Sequence, residues 1–147
     1  MKRTTLLGPD DIQVRITEDR SLATPIAADG LIMNVANAAE VSAWYAKWFG
    51  ATISRSGNET IGDIPGARIL FHETKDTIAP MRGHSLGLLG FEVTDIEGFV
   101  KRYQEAGGTF DGNGTIAKAQ AANLAVIQLT DPWGTSIEVS QGLVAAK

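Results

Sequence analysis

The sequence predicts an α+β fold built from two pseudo-symmetric βαβββ modules. Two helical segments of matching design predict it, together with strand-like runs around each and a repeat relating one set to the other. The clearest helix runs from Asn37 to Phe49, where Val41, Trp44, Tyr45, Trp48 and Phe49 fall on one broad apolar face. Asn37 with Glu40 gives it a capping start, and Gly50 follows its last turn. The second helix spans Asp95 to Ala106, with Ile96, Phe99, Val100 and Tyr103 inward and Gly107-Gly108 at its end. Val35, Tyr45 and Gly50 recur as Val93, Tyr103 and Gly108, each pair 58 residues apart. At the same spacing Ile69-Leu70-Phe71 meets Ile127-Gln128-Leu129, which extends the repeat to the strands.

The remaining elements follow from local pattern. Residues 12–18 alternate and read as a strand, and 19–30 as a connector. Leu31 to Val35, Ala51 to Arg55 and Ala67 to His72 read as strands, with 57–66 a Gly- and Asn-containing loop and 73–85 a polar connector. Leu86 to Val93 is a strand, Thr109-Phe110 begins another, and 111–123 reads as a Gly- and Ala-rich loop. Leu124 to Leu129 leads through Asp131-Pro132-Trp133-Gly134 to a last strand carrying Ile137, Glu138 and Val139. On this reading the first module lacks its last strand. Val14-Arg15-Ile16 lines up with Ile137-Glu138-Val139, so the N-terminal strand is expected to complete the first module. The organisation is one domain over 1–147: module one at 31–73 plus strand 12–18, module two at 86–141.

Bulk properties narrow the function. The chain has 147 residues, enough for one domain, and 44% of them are hydrophobic, enough for a sizeable core. A net charge of -4 without a basic run speaks against nucleic acid as partner. The absence of cysteine removes disulfides, thiolate nucleophiles and Cys-ligated metals. Only two histidines are present, His72 and His84, so a His-rich metal site is excluded. The first seven residues carry two cations but no apolar signal core, and no window reaches membrane-span length; a cytoplasmic location is the default expectation.

The ordered set Val35-x-Asn37…Trp44-Tyr45…Phe49-Gly50, Gly90-Phe91-Glu92-Val93-Thr94-Asp95 and Asp131-Pro132-Trp133-Gly134-x-x-Ile137-Glu138 resembles the vicinal oxygen chelate superfamily. That superfamily includes glyoxalase I, extradiol dioxygenases, and the fosfomycin and bleomycin resistance proteins. The resemblance implies two modules whose sheets curl around a central cavity, and a homodimer. It also implies metal ligands on the first and last strands of each module. The matching positions hold Gly30, Arg15, Leu88 and Glu138, so Glu138 alone is retained and no metal or other cofactor is expected.

Without the metal, Glu138 is either a structural carboxylate or one that binds a ligand or moves a proton. Arg15 is either a solvated edge-strand charge or an inward partner for Glu138 across the cavity. Gly30, Ile32, Leu88, Trp133 and His84 are the expected cavity-lining residues, His84 from a loop and Trp133 from a turn. The function expected from this set is metal-independent binding of a small organic molecule. The alternatives are an isomerase, epimerase or lyase with Glu138 as base and Arg15 as oxyanion stabiliser, or a degenerate domain acting as an interaction surface.

Overall fold

The computed structural model describes residues 2–8, 12–79, 81–119 and 123–143. It divides into two compact units, one formed by Met1–Leu7 with Gln13–Ala79, the other by Gly8–Ile12 with Pro80–Lys147. Each contains one four-stranded mixed sheet and one helix.

In the first unit, β1 (Arg3–Leu7) and β2 (Gln13–Thr17) form an antiparallel ribbon of their own. The four-stranded sheet comprises β3 (Leu31–Val35), β4 (Thr52–Ser56), β5 (Glu59–Ile64) and β6 (Ala67–Glu73), in the order β3-β6-β5-β4. Helix α1 (Ala38–Phe49) crosses between β3 and β4 and packs on β4, β5 and β6. The Asn37 side chain accepts from the N–H groups of Ala39 and Glu40, and Gly50 closes the helix in the left-handed conformation at φ 68°. Val41 and Tyr45 meet Met33, Val35, Ile69 and Phe71 in the core, with the Tyr45 and Phe71 rings 5.6 Å apart.

The second unit repeats the plan. Its sheet comprises β7 (Leu89–Glu92), β8 (Ala117–Ala119), β9 (Leu124–Thr130) and β10 (Ser136–Gln141), ordered β7-β10-β9-β8. Helix α2 (Ile96–Glu105) is capped by Asp95, which accepts from the Gly98 N–H, and packs on β10. Ile96, Phe99 and Tyr103 bury against Ile127, Leu129, Ile137 and Val139.

Both modules are therefore βαβββ, and the first is complete without help. The expectation that the N-terminal strand completes it is overturned: β2 pairs only with β1 among the described strands. The strand that fills the place is β5, inside the stretch read as a loop. Its helix-facing positions are Thr60 and Gly62 rather than large apolar residues, which hides the alternation. Gly62 suits this close approach, because a Cβ would sit 3.0 Å from the Phe71 ring, which would have to give way. Gly57, at φ 60°, helps to turn the chain from β4 into β5. In the second module no strand forms at Thr109-Phe110; it comes later, as β8.

The 58-residue repeat needs a matching correction. It holds for β3 with β7 and for the two helices. It fails for the later strands, because the link from α2 to β8 is longer than that from α1 to β4. Leu70 pairs in parallel with Ile32, and Glu138 pairs in parallel with Gly90, 58 residues beyond Ile32. The counterpart of β10 is thus β6, and the offset there is 68 residues. A pair of helix caps confirms this. Glu73 at the end of β6 accepts from the N–H of Ala38, and Gln141 at the end of β10 accepts from the N–H of Ile96.

Candidate functional site

Each sheet has a face packed on its helix and an opposite, more open face, although on that face of β10 Ser136 and Ser140 are buried on either side of Glu138. In the second unit, Glu138 is half-buried at the middle of β10, between two exposed strips of the open face. Gln128 stands opposite it on β9 and donates from Nε2 to a Glu138 carboxylate oxygen at 3.2 Å. On the other side the neighbour is Gly90, where an added methyl group would meet no described atom within 4 Å. Leu88, 47% exposed, lies two residues before Gly90, immediately ahead of β7. The carboxylate therefore borders open space that a larger residue at Gly90 would fill.

Glu92, on the same face, is engaged. It accepts from Ser140 Oγ at 2.8 Å and from the N–H groups of Gly142 and Leu143, tying the chain down where it leaves β10. At the opposite end Asp111 accepts from Thr130 Oγ1 and from Arg82. Trp133 is half-buried in the turn before β10. Its N–H and that of Thr135 donate to the buried carboxylate of Asp131, so the Asp-Pro-Trp-Gly motif is explained by turn formation. His84 is exposed in the connector, with its N–H donating to the Met81 carbonyl.

Tyr103 belongs to this unit's core. Its phenol is held above the usual tyrosine range, first by burial and second by the nearby Asp131 charge.

In the first unit Arg15 does have a carboxylate partner, but it is Glu59 rather than Glu138. The Nη1 to Oε1 distance is 2.6 Å, and both side chains are about three-quarters buried, at 22% and 27% exposure. The sequence reading missed Glu59 because it missed β5. Alternation of Glu59, Ile61 and Asp63 on one side of a strand was the available signal.

Strand register arranges this open face in rows. Asn34 pairs with His72, the register carries Glu59 opposite His72, and Glu59 pairs with Ser56. The next row holds Ile32, Leu70, Ile61 and Ser54. The row beyond holds Arg68 with Asp63, joined at 2.8 Å, and Arg68 also reaches Asp29 at 3.0 Å. Gly30 sits beside Arg68 and is exposed; a Cβ there would collide with the Arg68 carbonyl oxygen. Its small size follows from close strand approach.

With the corrected register, the four positions equivalent to the superfamily's metal ligands are Gly30, Leu70, Leu88 and Glu138. Leu70 replaces Arg15 as the last-strand position of the first module. One carboxylate with a glycine and two leucines does not fit a divalent cation, which needs about three protein ligands. Among the described residues no group of three or more His, Cys, Asp or Glu could hold a metal. Among them too, no helix is long and apolar enough to cross a membrane.

Comparison with known proteins agrees with this architecture. The family model described as the Glyoxalase/Bleomycin resistance protein/Dioxygenase superfamily matches residues 27–139. No curated protein sequence matches the chain. Among solved structures, a fosfomycin resistance protein from Listeria monocytogenes superimposes with a TM-score of 0.65 at 14% identity, over 82% of this chain and 97% of that one. The virulence protein STM3117 from Salmonella typhimurium gives 0.61 at 20% identity, over 82% and 99%. A glyoxalase/bleomycin resistance protein/dioxygenase from Alicyclobacillus acidocaldarius gives 0.57 at 15%, over 84% and 96%. With the two βαβββ modules, these matches lead to one conclusion: the chain belongs to the glyoxalase/bleomycin resistance protein/dioxygenase superfamily.

Proposed function

We propose that this protein binds a small organic molecule, without a metal, on the open face of its second sheet. Glu138 is the hydrogen-bond acceptor that fixes the ligand, Gln128 supplies an amide beside it, and Leu88 gives apolar contact. The observation that carries this reading is the open space over Gly90 next to a half-buried carboxylate. A carboxylate in partial shelter gains from a ligand donor because charge-assisted hydrogen bonds are stronger than neutral ones. The donor set at the superfamily's ligand positions speaks against a metal filling that role.

The test is a thermal-shift screen of small organic molecules on chelator-treated protein, with Glu138→Gln and Gly90→Val alongside. A ligand at a hundred times its Kd stabilises by about 2.7 kcal/mol, a rise of roughly 5–10 °C for a chain of this size. Hits on the wild type are expected to lose most of that shift in both variants, and added Mn²⁺ or Zn²⁺ is expected to leave them unchanged. Hits that stabilise all three proteins equally, or that need the metal, would rule the proposal out.

A further inference from the structure

The geometry points to a second anchoring site, on the open face of the first sheet, that takes an oxyanion carried on a small apolar body. Arg15 is its anchor. The guanidinium has five N–H donors, and Glu59 takes one of them through a single 2.6 Å contact at Nη1. A fork-to-fork pair would have engaged two parallel donors. Among the described residues Nε and Nη2 of Arg15 make no hydrogen bond, and that edge is the one shaped for a planar carboxylate.

The surroundings favour the same ligand class. Arg15 reaches Glu59 from the β1–β2 ribbon, so its head meets the row that holds Asn34, His72, Glu59 and Ser56, with His72 next to Glu59 on one side. Asn34 and His72 are exposed and able to donate hydrogen bonds. About 7 Å away along the strands, the half-buried Ile32, Leu70 and Ile61 form an apolar floor. An aryl or short alkyl carboxylate matches this sequence of polar head and apolar floor. Glu59 remains as the positioning residue that holds the Arg15 head over the sheet, and it competes weakly with the incoming anion.

This site goes beyond the Glu138 proposal, and the two fail separately. The full-length chain is titrated with phenylacetate and with its neutral counterpart phenylacetamide, observed by ligand saturation-transfer NMR. The acid is expected to bind at least about tenfold tighter than the amide. Arg15→Gln is expected to abolish that preference, and Arg15→Lys to reduce it, because a lysine keeps charge but lacks the fork. Glu59→Gln is expected to strengthen phenylacetate binding by severalfold, and Glu138→Gln to leave it unchanged. Near-equal binding of acid and amide, no binding of the acid, or a preference that survives Arg15→Gln overturns the inference. Loss of the preference in Glu138→Gln but not in Arg15→Gln overturns it too, and leaves the Glu138 proposal standing.

Discussion

Tyr103 shows how one residue couples the core of the second unit to pH. Its ring stacks on Phe99 with centroids 5.9 Å apart and tilts against Phe110 at 5.2 Å. Gly108 is required beside it, since a Cβ there would overlap the ring. Burial, and then the Asp131 charge, raise the phenol's pKa in the folded state. Above the ordinary tyrosine value of 10.0 the unfolded chain loses this proton first. The folded state then binds more protons, so stability falls as pH rises from there to the folded value. Below that window the group contributes no pH dependence. Tyr103→Phe is therefore expected to flatten the alkaline loss of stability. Urea denaturation at pH 8 and pH 10.5 checks this: the wild type should lose more between the two than the variant. An equal loss would mean that other groups drive it.

At the level of elements, the ribbon β1–β2 is separable from the sheet it approaches. Its ladder is internal, from Arg3 opposite Thr17 to Leu7 opposite Gln13. One side presents Leu6, Val14 and Ile16 to solvent, each about half exposed, while Arg15 reaches Glu59 from the other. A lone two-stranded ribbon is marginal in water, so it depends on the module more than the module depends on it. Removal of residues 2–17 is expected to leave the four-stranded sheet paired and the far-UV circular dichroism largely native, with the loss of Arg15-dependent carboxylate binding. Collapse of the first module's amide dispersion in an NMR spectrum would show that the ribbon is structural after all. The same elements explain what the sequence did and did not reveal. Helices α1 and α2 were legible because their apolar residues recur at helical spacing between identifiable caps. Strand β5 was not, because close packing on Phe71 favours glycine where a strand pattern would show a large side chain. Strand β8, three residues of Ala-Lys-Ala, has no apolar contrast to read.

For the molecule as a whole, the repeat was visible in the sequence but its phase was not. A longer link after α2 puts the later strands out of the 58-residue phase, by ten residues at β10, and only hydrogen-bond register reveals which strand answers which. The shift decided the site. Glu138 was identified from its own motif and keeps its place at the centre of an open sheet face. Arg15 was singled out through a false equivalence with Glu138, and its ion pair with Glu59 came from an unread strand. The row spacing on the first sheet adds a further consequence. Charged rows flank the single apolar row, about 7 Å to either side, so they stand about 13 Å apart. That face is a ruler. For straight-chain carboxylates, each methylene laid over the apolar row adds up to about 0.8 kcal/mol, and growth stops near ten carbons, where the chain meets the Asp63–Arg68 pair. Competition with phenylacetate across a series from butyrate to tetradecanoate would show affinity climbing and then levelling, whereas a steady climb would mean the charged row sets no limit.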